Sequence, residues 1–456
     1  MKVSKELMSK AEKIVEEFIK FNRTAVSPYH AVHNVEAVLK DHKFTKLEEE
    51  GEWKLEAGGN YYLTRGTNSS LVAFSVPKNV SVEQTSFKMI GTHTDSPCLR
   101  LAPKFERSGV SVSQTYVQTY GGGLWHTWLD RDLVLGGRVS VRKGNSTETR
   151  LFLSDKAVAK IPNLAIHLTK DPKKLEVDKE GQLRPVLASE LFEEEDGKCS
   201  LRAAVAEQLG EKAEDILDFD LCFGDAQEIS RFGLHGEFLS SPRLDNLASV
   251  FNSLKALLSH QASGSDLHQD ISLIAMFDHE EIGSQTYVGA DSAFLKTVLR
   301  RITDNLKLSH TDGFSRIISR SFFLSCDMAH AVHPNFQGSH QAAHQPKINQ
   351  GIVLKINANG RYTTDGITGA IVRRVSEAAN VPITDFIVAN DSPCGSTIGP
   401  IVASKLGCMS ADIGAPMWSM HSIRETAGVV DFHYTVELMQ KFFEIPMKEL
   451  IPKFRE

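Results

Sequence analysis

Acidic and imidazole side chains follow short apolar segments at several places in this chain. His93-Thr94-Asp95 comes directly after the apolar segment 87–90, and a run of four polar residues at 278–281 follows Ile271–Phe277. Because ligands gather at the carboxyl ends of strands in open α/β sheets, these side chains are predicted to meet at one sheet edge. Residues two apart in an extended chain point the same way, so Asp95 could orient the imidazole of His93. The candidate metal ligands are His93, Asp245, Glu281, Asp327 and His421.

These five side chains supply two imidazoles and three carboxylates. A mixture of nitrogen and oxygen donors suits Zn²⁺, with Co²⁺ or Mn²⁺ also possible at one site. Five protein ligands are too many for one open catalytic zinc, but they suit two ions that share a bridging carboxylate. Glu280, beside Glu281, is then left over as a general base and acid. A helical HExxH motif is absent, which argues against thermolysin-type chemistry.

Each of these residues also has an ordinary structural interpretation. Asp245 precedes an apolar periodic run and could be a helix N-cap. The acids at 278–281 could form an exposed polar loop, and a lone His421 is more often structural than ligating. The individual motifs are therefore modest evidence, and only their combination favours a metal site.

The surrounding elements predict an α/β protein. The N-terminus reads as an amphipathic helix, 244–258 and 290–302 as helices, and Ile271–Phe277 and Phe322–Cys326 as buried strands. Strands that alternate with helices imply a mostly parallel sheet covered on both faces. The segments 111–120 and 133–141 are rich in Val, Thr and Tyr, which is typical of strands. We predict a discontinuous catalytic domain, 1–96 and 238–456, with a β-rich insertion at 97–237 that contains the acidic run 193–196 as a solvated loop.

Composition narrows the class of protein. The 456 residues carry 51 Lys+Arg against 57 Asp+Glu, a formal net charge of -6, so nucleic acid and anionic membranes are not expected partners. No apolar run approaches the roughly 18 residues of a membrane span, and the N-terminus lacks the layout of a signal peptide. The six cysteines include no CxxC pair and are expected to be reduced thiols. We therefore expect a cytoplasmic protein.

Several longer stretches together resemble the aspartyl aminopeptidases, the M18 family of metallopeptidases. They run in family order from about residue 90 to the C-terminus, and they are GTHTDSPCLRLAPK, YGGGLWHTWLDRDLVLGGRV, RLDNLASVF, FDHEEIGSQTYVGADS, SCDMAHAVHPNF, DSPCGSTIGP and MHSIRETAG. The resemblance implies a three-layer α/β/α zinc-peptidase domain with an inserted β-rich dimerisation domain. It also implies self-assembly into a tetrahedral homododecamer with enclosed active sites.

The resemblance further implies a role for each candidate residue. His93 and Asp327 would hold one Zn²⁺, and Glu281 and His421 the other, which makes two per subunit. Asp245 would bridge the two ions through its carboxylate, and the peptide bond between Asp245 and Asn246 would be cis. Glu280 would be the general base and acid for a hydroxide shared by the two ions, with Asp95 orienting His93. The substrates would be peptides with N-terminal Asp or Glu.

The substrate-binding residues are less strongly indicated. His167 matches an insertion residue that would reach a neighbour's active site, although alone it reads as a surface or interface residue. Lys355 resembles a lysine that reads the acidic substrate side chain, but it could be a solvent-facing strand residue. Arg424 is a second candidate cation. Gly395 and Ser396 lie in a loop expected to face the substrate with its backbone, and a serine nucleophile there lacks a GxSxG elbow.

Two other functions remain open from the residues. One is an amidase or carboxypeptidase-like deacylase on a similar dinuclear scaffold. The other is a self-assembling shell or cargo protein with vestigial catalysis. The long insertion weighs against the first, and the complete set of ligands with Glu280 weighs against the second.

Overall fold

The structure, a computed structural model, describes residues 3–170, 174–192, 200–263 and 270–452. The acidic run 193–196 lies outside the described residues. In chain order the strands are β1 (Thr45–Lys46), β2 (Asn60–Arg65), β3 (Ser70–Ser75), β4 (Phe87–His93), β5 (Cys98–Ser108), β6 (Val112–Tyr120), β7 (Asp132–Lys143), β8 (Ser146–Leu153), β9 (Ala159–Lys160), β10 (Val186–Ser189), β11 (Ile216–Asp225), β12 (Ser230–Phe232), β13 (Phe238–Ser241), β14 (Ile271–Phe277), β15 (Phe322–Cys326), β16 (Ala329–His330), β17 (Ile352–Lys355), β18 (Ile383–Phe386), β19 (Met409–Gly414), β20 (Pro416–Trp418) and β21 (Glu425–Gly428). The helices are α1 (Lys5–Thr24), α2 (Pro28–Asp41), α3 (Leu201–Leu209), α4 (Leu244–Ala262), α5 (Phe294–Asn305), α6 (Gly313–Ser319), α7 (Gly366–Ala379), α8 (Ile398–Leu406), α9 (Val429–Glu444) and α10 (Met447–Leu450).

A nine-stranded sheet forms the centre of the molecule, in the order β1-β2-β3-β14-β4-β15-β19-β17-β18. Its middle strands β14, β4, β15 and β19 are mutually parallel. Antiparallel pairs join β2 to β3, β3 to β14 and β17 to β19. The predicted strands 271–277 and 322–326 are confirmed with the same ends. Buried parallel strands read as continuous apolar runs, which made both segments recognisable.

Helices cover both faces of this sheet. Ile274 and Met276 of β14 pack with the buried side chains of α1, α2, α4, α7 and α9. Leu273 and Ala275, on the opposite face of the same strand, pack with α5, α6 and α8. Successive side chains of a strand point to opposite faces, so both faces of β14 are buried in apolar cores. The molecule therefore has the three-layer α/β/α architecture that the sequence predicted.

The predicted helices are present, with shifted ends. The N-terminal helix is α1, which begins after Ser4, whose hydroxyl accepts the backbone N–H of Leu7 at 3.1 Å. The helix predicted at 244–258 continues to Ala262. The helix predicted at 290–302 begins instead at Phe294, where the Ser292 hydroxyl accepts the first backbone N–H, and it ends at Asn305.

The middle of the chain forms a separate seven-stranded sheet in the order β11-β5-β6-β10-β9-β7-β8, with β11 also paired to β7. Its interior contains a third apolar core that includes Leu99, Leu133 and Phe223. All of its strands lie between Cys98 and Asp225. The strand β12, although inside 97–237, joins β13, β21, β20 and β16 in a five-stranded sheet instead. The domain limits themselves stay a prediction.

Candidate active site

Three neighbouring parallel strands deliver candidate ligands to one edge of the central sheet. His93 is the last residue of β4 and lies opposite Phe277, the last residue of β14. Glu280 and Glu281 follow in a short 3-10 helix, Glu280–Ile282. Asp327 comes directly after β15, the other neighbour of β4. The predicted convergence at carboxyl strand ends is therefore observed for this part of the site.

Asp245 reaches the same place from the start of α4. Its backbone is extended, with φ -83° and ψ 105°, as an N-cap residue could also be, but its two carboxylate oxygens lie against His93 and His421 instead of capping α4. The peptide bond between Asp245 and Asn246 is cis, as the resemblance implied. The Ser96 hydroxyl donates to the Asp245 carbonyl at 2.6 Å, and the Asp245 N–H donates to a carboxylate oxygen of Glu425 at 3.1 Å. The backbone of this residue is thus held on both sides.

The donor atoms form two groups that share the carboxylate of Asp245. His93 Nε2 lies 3.4 Å from Asp245 Oδ1 and 3.4 Å from Asp327 Oδ1. His421 Nε2 lies 3.2 Å from Asp245 Oδ2 and 3.3 Å from Glu281 Oε1. Each oxygen of Asp245 therefore faces a different imidazole. The ligand atoms of each group lie within 4.8 Å of one another, a spacing that could hold a metal ion.

The buried charges of this region fit bound cations. Asp245 Oδ1 and Asp327 Oδ1 are buried and accept no hydrogen bond from the described residues. A buried carboxylate oxygen without a partner is costly, and a metal ion is one of the few groups that satisfies it. Burial opposes a charged His421, yet the carboxylates of Asp245 and Glu281 outweigh it and raise the pKa of His421 to about 12. The carboxylates of Asp245 and Glu281 thus stabilise positive charge in this region, as a metal site requires.

Glu280 differs electrostatically from an exposed glutamate. Burial raises its pKa well above the ordinary value, and the negative charges of Asp327 and Glu281 add to this rise, while His93 opposes it. Burial likewise raises the pKa of Glu281 to about 7. A carboxyl group whose pKa is raised toward neutrality can both accept and return a proton, which is the requirement for general acid–base catalysis. Glu280 also lines the cavity described below.

A set of supporting hydrogen bonds holds the candidate ligands in place. The Asp95 carboxylate accepts the backbone N–H groups of Glu280 and Glu281 at 3.1 and 3.0 Å. It also accepts the hydroxyl of Tyr120 at 2.6 Å. His93 Nδ1 lies 3.0 Å from the Asp95 carbonyl and 3.4 Å from its carboxylate. Asp95 therefore contacts His93 as predicted, and it also fixes the loop that carries both glutamates.

Three supporting residues were missed in the sequence. Tyr120 and Gly122 belong to the YGGG motif, and Glu425 belongs to the motif of His421, but their roles depend on contacts between segments that are distant in the sequence. The Gly122 carbonyl lies 2.7 Å from His421 Nδ1, so the other ring nitrogen of each histidine faces a backbone carbonyl. This arrangement favours the tautomer that leaves Nε2 free to bind metal.

A cavity of about 490 Å³ opens beside the two groups of ligands. Lys355 lines it with its side chain only 4% exposed, so the solvent-facing interpretation of this residue is wrong. Lys355 Nζ lies 3.5 Å from Asp327 Oδ2 and 5.5 Å from the centroid of the Tyr362 ring. Gly395 and Ser396 also line the cavity, on the predicted loop. The cavity thus joins the candidate metal ligands to a buried cation.

Arg424 is not part of this cavity, and its prediction as a substrate cation is wrong. Its guanidinium donates to Asp225 Oδ2 at 3.0 Å and to Ser240 Oγ at 3.0 Å. It also donates to the backbone carbonyls of Gln227 and Glu228. With its donors engaged in this way, Arg424 ties the chain after His421 to the end of β11, and it does not line the cavity.

His167 lies in a short exposed 3-10 helix, Ile166–Leu168. It does not line the cavity of its own chain. Its neighbours Ile166 and Leu168 are 68% and 69% exposed. Large apolar side chains at such exposure are typical of an interaction surface when they cluster. The predicted contact with a neighbour's active site stays a prediction.

Comparison with known proteins agrees with the geometry of the site. A family model described as aminopeptidase I zinc metalloprotease (M18) matches residues 21–443. Aspartyl aminopeptidase 1 of Schizosaccharomyces pombe is 40% identical over 467 residues, covering 97% of this chain and 97% of that protein. Aspartyl aminopeptidase 4 of Saccharomyces cerevisiae is 41% identical over 466 residues, covering 94% of each.

Solved structures show the same fold. A chain in the cryo-EM structure of the Ape4 and Nbr1 complex superimposes with a TM-score of 0.94 at 38% identity, covering 100% of this chain and 90% of that one. The dodecamer of Saccharomyces cerevisiae mApe1 gives a TM-score of 0.83 at 29% identity, covering 96% and 98%. Within the described residues, no helix combines the length and apolarity that crossing a bilayer requires. The chain belongs to the M18 family of zinc metallopeptidases and is a metallo-aminopeptidase.

Proposed function

We propose that this aminopeptidase binds two zinc ions and removes N-terminal Asp or Glu residues from peptides. The observation that carries the proposal is the position of the Asp245 carboxylate, with one oxygen 3.4 Å from His93 Nε2 and the other 3.2 Å from His421 Nε2. One carboxylate between two imidazoles is the arrangement expected of a ligand shared by two ions. The fit of buried, unpartnered oxygens to cations supports the same conclusion.

The two groups of side chains divide the proposed ligands. His93 and Asp327 would hold one ion, Glu281 and His421 the other, and Asp245 would contribute to both. Zinc bound there would polarise the scissile carbonyl and supply a water of lowered pKa as nucleophile. The donor set of imidazoles and carboxylates is one that zinc accepts readily.

Glu280 would carry the proton. Its carboxylate accepts a proton from the attacking water and later delivers it to the leaving amine. Because burial and neighbouring negative charges raise the pKa of Glu280, the protonated form is accessible after the first step. Asp95 holds the Glu280 N–H at 3.1 Å and so keeps the carboxyl group directed toward the cavity.

Lys355 would read the acidic side chain of the substrate. It is a buried cation in the cavity wall, and it faces Asp327 at 3.5 Å. A substrate carboxylate placed near Lys355 would gain a charge-assisted contact in a partly dehydrated cavity, whereas a neutral side chain would not. Gly395 and Ser396 would provide backbone and hydroxyl groups on the same wall.

The assembled state would be a homododecamer of tetrahedral symmetry. One relative of the same fold is described as a dodecamer. Exposed apolar residues around His167, including Leu164 at 56% exposure, form a surface that self-association would cover. In such an assembly His167 would enter the active site of a neighbouring subunit.

The test combines metal content with substrate choice. Purified protein should contain about two zinc ions per chain, lose activity on chelation and regain it with added zinc. It should cleave Asp-p-nitroanilide faster than the isosteric neutral Asn-p-nitroanilide, and it should not cleave N-acetyl-Asp-p-nitroanilide. Release of acetate from the acetylated compound would favour a deacylase, and release of p-nitroaniline from it would favour an amidase that needs no free amine. Equal rates on the Asp and Asn compounds would refute the acidic preference.

A further inference from the structure

Glu425 is a buried carboxylate close to the proposed metal ligands, with 2% of its surface exposed. It is the first residue of β21 and pairs with Ser241 of β13 in the five-stranded sheet. One of its oxygens accepts the Asp245 N–H at 3.1 Å, and the other accepts the His421 N–H at 2.8 Å. A single side chain therefore joins the backbones of Asp245 and His421, which lie far apart in the sequence.

Both backbone positions lack the support of regular structure. His421 lies between β20 and β21 with φ of 66°, a left-handed conformation that a residue with a β-carbon adopts only when its surroundings impose it. Asp245 lies at the start of α4, where N–H groups have no partner within the helix. The contacts with Glu425 supply that missing support. By contrast, His93 belongs to β4, which is paired on both sides by β14 and β15.

The site contains a second carboxylate that works in the same way. Asp95 accepts two successive N–H groups, those of Glu280 and Glu281. The backbones of Glu281, Asp245 and His421 are thus held by two buried acids, neither of which is a proposed ligand. Asp95 fixes the loop of glutamates, and Glu425 fixes Asp245 and His421.

We propose that Glu425 is a positioning residue that sets the zinc affinity of the group formed by Asp245, Glu281 and His421. The inference rests on the proposed two-zinc function. It predicts an unequal effect on the two ions, because the His421 side chain is 30% exposed and His93 is enclosed, with its side chain only 2% exposed. The orientation of His421 therefore depends more on its backbone contacts than that of His93 does.

A carboxylate is required because two N–H groups converge on two different oxygens. The isosteric amide in Glu425→Gln keeps one acceptor oxygen and places an NH₂ group against the other N–H. One of the two backbone contacts must then be lost, and either Asp245 or His421 is free to move. The change in volume is negligible, so an effect on metal binding would report the lost contact rather than altered packing.

The chain offers a matched control in Asp431. This residue is also buried, at 1% exposure, and its two oxygens accept backbone N–H groups from Asn349 at 2.6 Å and from Gly351 at 3.0 Å. Neither partner is a proposed metal ligand. Asp431→Asn therefore removes the same kind of contact from the same part of the chain without touching the metal groups.

The experiment measures zinc affinity by competition with a chromophoric chelator, for wild type, Glu425→Gln and Asp431→Asn. Absorption spectra of the cobalt-substituted proteins report ligand geometry, and melting of the chelated proteins reports folding. We expect Glu425→Gln to weaken one of the two zinc ions by about 10- to 100-fold, the usual effect of removing a supporting contact, and to leave the affinity for the other nearly unchanged. Its cobalt spectrum should change, and excess zinc should restore activity. Asp431→Asn should melt earlier but bind both ions like wild type.

The outcomes separate this inference from the proposed function. Wild-type affinity for both ions in Glu425→Gln would overturn the inference and leave the two-zinc function intact, as would an equal loss of affinity in Asp431→Asn. A wild-type protein that binds fewer than two zinc ions would overturn the proposed function and this inference together. If Glu425→Gln does not fold, Glu425→Asp, which withdraws the carboxylate by one methylene, undergoes the same measurement with the same expected direction.

Discussion

Replacement of Lys355 tests the proposed acidic preference, because Lys355 is a buried cation in the wall of the cavity. In Lys355→Met the apolar stem is retained and the charge is removed from the cavity wall. Two unit charges 4 Å apart attract by about 4 kcal/mol at an effective dielectric constant of about 20. Because Lys355 already faces Asp327 at 3.5 Å, only part of that attraction remains for a substrate carboxylate. We take about half, or about 2 kcal/mol, which corresponds to a factor of about 30.

The assay compares kcat/KM for Asp-p-nitroanilide and Asn-p-nitroanilide. Loss of Lys355 also removes the ammonium group that lies 3.5 Å from Asp327, a proposed zinc ligand. This change would slow both substrates alike, so the ratio of the two is the informative quantity. We expect the Asp-to-Asn ratio to fall about 30-fold in Lys355→Met. As a control, Lys405→Met removes a lysine that pairs with Asp291 at the surface and should leave the ratio unchanged. An equal loss on both substrates would refute the specificity role of Lys355.

Three further changes test other parts of the interpretation. Glu280→Gln should lower kcat by about 1,000-fold while zinc content stays at the wild-type level, and near-normal kcat would refute its role as base. Arg424→Met should lower the free energy of unfolding by about 2 kcal/mol in urea denaturation, because Asp225 loses a buried partner. The Asp-to-Asn ratio of kcat/KM should not change, and a changed ratio would contradict the position of Arg424 outside the cavity. Burial lowers the pKa of Lys88 to about 7 in the folded protein. Between pH 7 and 10 the unfolded protein therefore binds more protons at Lys88 than the folded protein does, so the free energy of unfolding of the wild type should rise with pH across that interval. In metal-free protein, the Lys88→Met variant should show a smaller rise in the free energy of unfolding with pH than the wild type. The same pH dependence in both proteins would refute the role of Lys88.

The parts of the fold that were predictable are those in which burial leaves a local record. The strands β14 and β15 are buried on both faces, so each forms an uninterrupted apolar run that can be read in the sequence. Their carboxyl ends then indicated where the acids and His93 should meet. The start of α5 was predicted less well. The Ser292 hydroxyl accepts the backbone N–H of Phe294 there, and such a local contact is not visible in the apolar pattern of the sequence.

Side-chain direction is the property that the sequence did not reveal. Lys355 ends an apolar segment and Arg424 belongs to the motif of His421, and both were candidates for the substrate cation. The structure separates them, because β17 directs Lys355 into the cavity while Arg424 turns toward Asp225. Proximity along the chain to His421 therefore said nothing about where the Arg424 guanidinium would lie. That information resides in long-range contacts, which a local pattern does not contain.

The contacts of Tyr120 and Gly122 change how the β-rich middle of the chain should be understood. Tyr120 ends β6 and donates to Asp95, and the Gly122 carbonyl faces the ring of His421. Leu124 donates its N–H to the His421 carbonyl at 2.9 Å. Residues of the predicted insertion thus contact Asp95, which supports the proposed base Glu280, and His421, a proposed metal ligand, within the same subunit. Changes that loosen β6 should therefore alter metal binding even in a protein whose assembly is intact, which distinguishes this role from that of an assembly surface.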